Sequence, residues 1–163
     1  MQREDLLTVM FRHHLWANLL ILAACETLSE EQLNTSAVGA YGSIIDTLRH
    51  IARAEQGYFS RISTGEMFQR PEDEPPMDFA TMKSVLQETG SRLIEWAHKV
   101  QAEDVVEILW AGQPRQVPKT IITTQVIEHG NEHREQIKTI LTQLGIEPPD
   151  LQAWAYFDEM EPA

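Results

Sequence analysis

A single cysteine, Cys25, leaves the chain no internal disulfide and makes a reducing compartment the natural expectation. Positive charge is scarce as well. Lys and Arg number 13 against 25 Asp and Glu, a formal net charge of −12. A nucleic-acid binder needs a basic stripe to displace condensed counterions, and an anionic membrane surface makes the same demand, so neither partner is expected. No stretch reaches the roughly 18 uninterrupted apolar residues of a membrane span. The opening MQREDLL lacks the basic start and apolar run of a secretory signal. These absences together predict a cytoplasmic protein. There is no internal repeat and no low-complexity tract.

What remains is ordinary globular material: 42% hydrophobic and 23% charged over 163 residues. That length suggests one domain, 1–163, able to bury roughly 70% of its unfolded surface. Apolar residues recur at helical spacing in four long stretches. The first runs from about Arg3 to Leu28, with Leu7, Met10, Phe11, Ile21, Cys25 and Leu28 on one arc. A polar break to Gly42 follows. Ser43 is a candidate N-cap for a second helix to about Ser63, with Asp46 at its third position. Gly65 and the acidic, proline-rich RPEDEPP end that pattern and read as an extended connection. Asp78 caps a third helix to about Val100. An irregular stretch with a short extended piece at 105–110 leads to Pro118, placed as a first helical residue. The fourth helix spans about Lys119 to Leu144, stopped by Gly145, and LQAWAYF suggests a short docking helix. Four amphipathic helices in one small domain predict an all-α four-helix bundle.

The fourth helix carries the first chemical signal. His129 and His133 lie in its buried stripe with Ile122, Val126, Ile137, Ile140 and Leu144. Residues four apart stack on one face, close enough for two imidazoles to reach one ion at about 2.0–2.1 Å. Ring nitrogens in an apolar stripe need partners. A shared metal supplies one; water at a polar end of the bundle supplies another, and spacing alone leaves both open. His50, on the second helix beside Thr47, Ala54 and Gly57, is the candidate third ligand. On the first helix His14 and Asn18 stand four apart on the most apolar meridian. They suit a contact to a ligand histidine, a cofactor-side role, or a self-contained buried polar pair. Glu55 lies in the apolar arc as an acceptor or ion-pair partner. His13 and His98 fall on polar faces and read as solvated, as do Glu128, Glu132 and Glu135. His129-x-x-Glu132-His133 matches the inverted zinc-protease order, but that class needs a further acidic ligand in a larger chain.

Three segments resemble the DinB/YfiT-like family across nearly the whole chain. HHLWANLLIL is similar to its first-helix Y-N-x-W-A-N segment, with Trp16, Ala17 and Asn18 matching and His13 and His14 departing. SIIDTLRHIARAEQGYFSRI puts His50 at the family's helix-two ligand position. VIEHGNEHREQIKTILTQLGIEPPDL follows its H-x-x-x-H-R-x-Q-I ending, with His129 and His133 at the two ligand positions. The resemblance implies an antiparallel bundle with a crossover connection, a homodimer, and a divalent ion on His50, His129 and His133. That ion is Zn or Ni, with Fe or Mn as alternatives. It further implies a small-molecule substrate and a low-molecular-weight thiol such as bacillithiol or mycothiol, transferred to an electrophile. Asn18 and Arg134 become candidate cofactor or substrate contacts. A metal-dependent hydrolase using Glu55, or a non-catalytic metal-binding stress-response module, are the other expectations.

Overall fold

The computed structural model describes residues 4–160, and within them the long helices form as the sequence predicts. α1 (Leu6–Glu26) starts at Asp5, whose carboxylate accepts from Thr8 N. α2 (Glu30–Leu33) is a single turn closed by a Ser29–Gln32 capping box, inside the stretch expected to be loop. α3 (Ile44–Thr64) begins at Ser43, whose Oγ accepts from Asp46 N, and ends at Gly65 with φ 81°. A side-chain cap of this kind contributes about 1 kcal/mol. α4 (Phe79–Ala97) begins at Asp78 and stops three residues earlier than expected. β1 (Val105–Trp110) and β2 (Gln113–Pro118) form an antiparallel hairpin, of which only the first strand was legible. Ala111 (φ 51°) and Gly112 (φ 76°) give its turn the two left-handed residues of a type I′ turn. Pro118 ends β2 and flanks α5 (Lys119–Gln143) from outside; it is not the helix's first residue. α6 (Ala153–Met160) is the docking helix.

α1 packs on α4 and α5, and α3 packs on the same two helices. Thr8 of α1 meets His98 just past the end of α4, whereas Leu22 and Ala23 share a hollow with Phe79 and Lys83, so that pair is antiparallel. Tyr58 and Arg61 of α3 face Ile121 and Ile122 at the start of α5, so that pair is antiparallel too. The proline-rich connection 65–78 runs back along the bundle, so that Arg49, early in α3, reaches Met77 O just before α4. α3 and α4 are therefore parallel neighbours, the outcome a long crossover permits.

The interior is two apolar clusters with a polar layer between them. One holds Ile21, Cys25, Ile44, Leu48, Met82, Leu86 and Ile140 among others. The second holds Phe11, Ile62, Leu93, Ala97, Ile122 and Val126. Where the two clusters meet along the four long helices stand His14, Asn18, Glu55, Thr89 and Arg134, all buried. α1 is long and apolar enough to cross a membrane by length and composition, yet here it buries Phe11, Ala17, Ile21 and Cys25 against its neighbours. Two expectations for α1 need correcting. Met10 is 38% exposed, because the inner face runs through Phe11, His14, Asn18 and Ile21. His13 is half-buried: its Nε2 bonds Leu151 O at 2.8 Å and its ring packs beside Trp16 and Tyr156, tying the C-terminal segment to α1. His98 is exposed and pairs with Asp5 at 2.8 Å.

Gly130 is where the polar layer depends on a missing side chain. A Cβ there would stand 2.4 Å from His14 Cε1 and 2.8 Å from Arg134 Nη1. Alanine gains about 1 kcal/mol of helix propensity over glycine. Overpacking against a hydrogen-bonded ring costs about 1–3 kcal/mol or more, and both neighbours are held by their own bonds. Gly130→Ala is therefore expected to lower the urea midpoint, against the usual sign for glycine to alanine in a helix.

Candidate metal centre

His50 comes from the second turn of α3, His129 and His133 from successive turns of α5. The antiparallel contact of those helices brings the three rings together, with centroids 4.4–4.8 Å apart. Their donor nitrogens all lie within 4.8 Å of one another. His129 Nε2 and His50 Nε2 face each other at 2.9 Å. His133 Nδ1 donates to Gln136 Oε1 at 2.9 Å, which leaves its Nε2 as the free donor atom. Gln136 Oε1 also accepts from Tyr41 N at 3.0 Å, so a loop residue and a ligand-type histidine share one anchor. Tyr41 stacks on His50 with centroids 3.9 Å apart and meets His133 edge-on at 5.3 Å. Tyr58 meets His129 edge-on at 5.4 Å.

The electrostatics suit a cation. Burial lowers the pKa of His129 to about 4, with His133, His50 and His14 adding to the effect. Burial, then His133, lowers that of His50. Lone pairs on these rings are thus available at neutral pH, as metal ligation requires. Three imidazole donors around one point, one of them oriented by Gln136, fit a divalent ion of the Zn or Ni type.

The same shifts set a pH dependence in the metal-free protein. The unfolded chain takes up protons near pH 6.5, while the folded chain refuses one at His129 until about pH 4. Stability from this source is present above about pH 6.5 and is lost as pH falls toward 4. The melting temperature of EDTA-treated protein should drop across that window. His129→Gln should make the drop shallower.

The remaining sequence-selected residues form the polar layer. Glu55 Oε2 accepts from His14 Nε2 at 2.8 Å and from Asn18 Nδ2 at 2.9 Å, and Oε1 accepts from Thr89 Oγ1. Arg134 Nη1 donates to Asn18 Oδ1 at 2.6 Å and lies 3.5 Å from His14 Nδ1. Burial pulls the Arg134 pKa down to about 10, against the pull of Glu55, so the guanidinium stays charged at neutral pH. One negative and one positive charge balance inside the layer. His14 and Asn18 thus form a buried network and bond no histidine of the triad, unlike the ligand-orienting role considered for them. Glu128, Glu132 and Glu135 are exposed. Cys25 is fully buried, its thiol pushed up to about 12 by that burial, and so is inert.

Gln136, Tyr41 and Tyr58 were missed as site residues. Gln136 stands three residues after His133, on the same face, and that spacing was the available signal. Tyr41 sits in a loop whose sequence gives none.

The DinB family's sequence profile matches residues 1–162. No curated protein matches the chain. A DinB-like protein from Bacillus cereus ATCC 10987 is similar in fold, with a TM-score of 0.59 and 19% identity, over 85% of this chain and 91% of that one. A profile match of that extent, on this helical arrangement, makes the chain a member of the DinB family.

Proposed function

We propose that His50, His129 and His133 hold one divalent ion, Zn or Ni before Fe or Mn, and that the protein is a metal-dependent transferase joining a low-molecular-weight thiol to a small electrophile. The observation that carries this reading is the convergence of three imidazole donors with hollows beside them. One hollow, of about 370 Å³, opens between Tyr41, Arg49, His50 and Arg53. Another is reached past Tyr58, on the His129 side. Three protein donors leave a coordination position free, the arrangement of catalytic more than structural zinc. When bound, such an ion supplies Lewis acidity that lowers the pKa of a thiol or water placed next to it. The protein's own part is to hold the donors. Gln136 fixes the His133 ring, Tyr41 covers His50, and Gly57 leaves open space at the edge of α3, where an added Cβ would come no nearer than 4.0 Å to Arg61 Nη1.

The hydrolase alternative gains nothing from this geometry, since both Glu55 oxygens are engaged by His14, Asn18 and Thr89. Metal-loaded protein incubated with a thiol panel and monochlorobimane tests the transferase reading. Thiol-dependent conjugate formation that disappears on chelation supports it. Ester or amide cleavage without any thiol transfer would replace it with hydrolysis. A homodimer belongs to the same proposal and is checked by light scattering after size exclusion.

A further inference from the structure

A hollow of about 590 Å³ lies between the second half of α3, the start of α5 and the hairpin. Its walls are apolar, with Ile108, Val117, Ile121 and Ile122, and Trp110 stands at its edge 61% exposed. Its charged lining is Arg61 and Arg115, with no acidic residue. That is unexpected in a chain with nearly two carboxylates for every basic group. Two other hollows carry carboxylates: Glu26 and Glu159 between α1, α4 and α6, and Asp46 beside His50. Among the described residues, the ion pairs engage Arg12, Arg49, Arg70 and Arg92, whereas Arg61 and Arg115, like Arg53 and the buried Arg134, have no carboxylate within 4.0 Å. An acidic protein that keeps its carboxylates away from two arginines facing an apolar hollow has left those arginines for a ligand's anion.

We infer that this hollow binds a small molecule with an apolar, aromatic-sized body and one anionic group, a carboxylate or sulfonate, held by Arg61 and Arg115. The proposal rests on the metal-dependent reading above and deepens it, because a single side chain, Tyr58, stands between the hollow and the triad. Tyr58 lines it and meets His129 at 5.4 Å, and Gln125 lines it one helical turn before His129. A ligand anchored at the arginines points its opposite end past Tyr58 toward the histidines. The apolar walls supply most of the affinity, at roughly 25 cal/mol for each Å² removed from water. The guanidiniums set the sign of the charge and the orientation.

The test uses two fluorescent probes of similar shape: 8-anilinonaphthalene-1-sulfonate, which is anionic, and N-phenyl-1-naphthylamine, which is neutral. Each is titrated into wild type, an Arg61→Gln/Arg115→Gln double variant, and Lys83→Gln at the α1/α4 hollow as a control. The anionic probe should bind the wild type at least about tenfold more tightly than the neutral one, the worth of a charge-assisted contact. The double variant should lose that advantage while holding the neutral probe unchanged, and Lys83→Gln should change neither. Equal affinity for the two probes, or an anionic-probe affinity indifferent to the double substitution, overturns the proposal. Repeating the titration on EDTA-treated protein separates the two readings. Anion preference that survives chelation stands without the metal, and a double variant that still retains zinc leaves the triad intact while the anion site is lost.

Discussion

Purified His133→Ala protein should retain no stoichiometric metal, while the wild type carries about one ion per chain by elemental analysis, as a single three-ligand site requires. Removing His133 takes away one of three converging donors, and the pair His50 and His129 that remains, 2.9 Å apart, has no third corner. A graded partner sharpens the test. Gln136→Leu keeps all three imidazoles and removes the one acceptor that orients His133 and anchors Tyr41 N. Outer partners of this kind cost about 10–100-fold in metal affinity, and loss of the ligand should exceed that range. If the alanine variant holds zinc as tightly as the wild type, the triad is not the metal site, and the proposed chemistry goes with it.

The second large effect is on folding. Glu55→Ala should destabilise the protein by about 3–5 kcal/mol, since it strips buried donors of their acceptor and leaves the buried Arg134 charge without a countercharge in its layer. Arg134 is 2% exposed and would keep its charge with Asn18 and His14 as its polar company. Asn18 Nδ2 and the His14 Nε2 proton would lose their acceptor as well, while Thr89 Oγ1 could still turn to Val85 O. A domain of this kind has about 5–15 kcal/mol in total, so the variant should unfold at far lower urea, if it accumulates folded at all. Glu55→Gln, which keeps shape and an acceptor oxygen, should lose less. Equal urea midpoints for wild type and Glu55→Ala would mean the polar layer contributes nothing net to stability.

Much of this was legible in the sequence because helices announce themselves locally. Ser43, Asp78 and Gly145 marked three helix ends within a residue or so, through cap chemistry that depends only on near neighbours. His129 and His133 were visible as a pair because four residues make one helical turn. His50 was harder, since nothing local says which face of α3 meets α5 seventy-nine residues later; its place at the edge of the apolar arc made it a candidate, and the family resemblance put it at a ligand position. The polar layer was half legible. His14, Asn18 and Glu55 stood out as polar residues in apolar stripes, but Thr89 did not, and which of them touch depends on the diagonal packing of α1 against α3. The hairpin was half seen because QPRQVP has too little apolar alternation to read as a strand, and its pairing with β1 supplies what its own residues do not. Tyr41 owes its place to long-range contacts alone.

The hairpin has a consequence for how such a scaffold can diversify. Apart from Val106, Ile108 and Val117, its side chains contribute little to the helical interior, yet it builds one wall of the arginine-lined hollow. The triad is held by α3, α5 and Gln136, on the far side of Tyr58. Changes in Trp110, Arg115 or the Ala111–Gly112 tip can therefore retune which molecule is admitted while the histidines keep their places, since none of these residues belongs to α3 or α5 and only Tyr58 is common to the hollow and the triad. Surface connections tolerate such exchange far better than packed helices do. One metal-holding frame with a replaceable wall can thus serve many different guests.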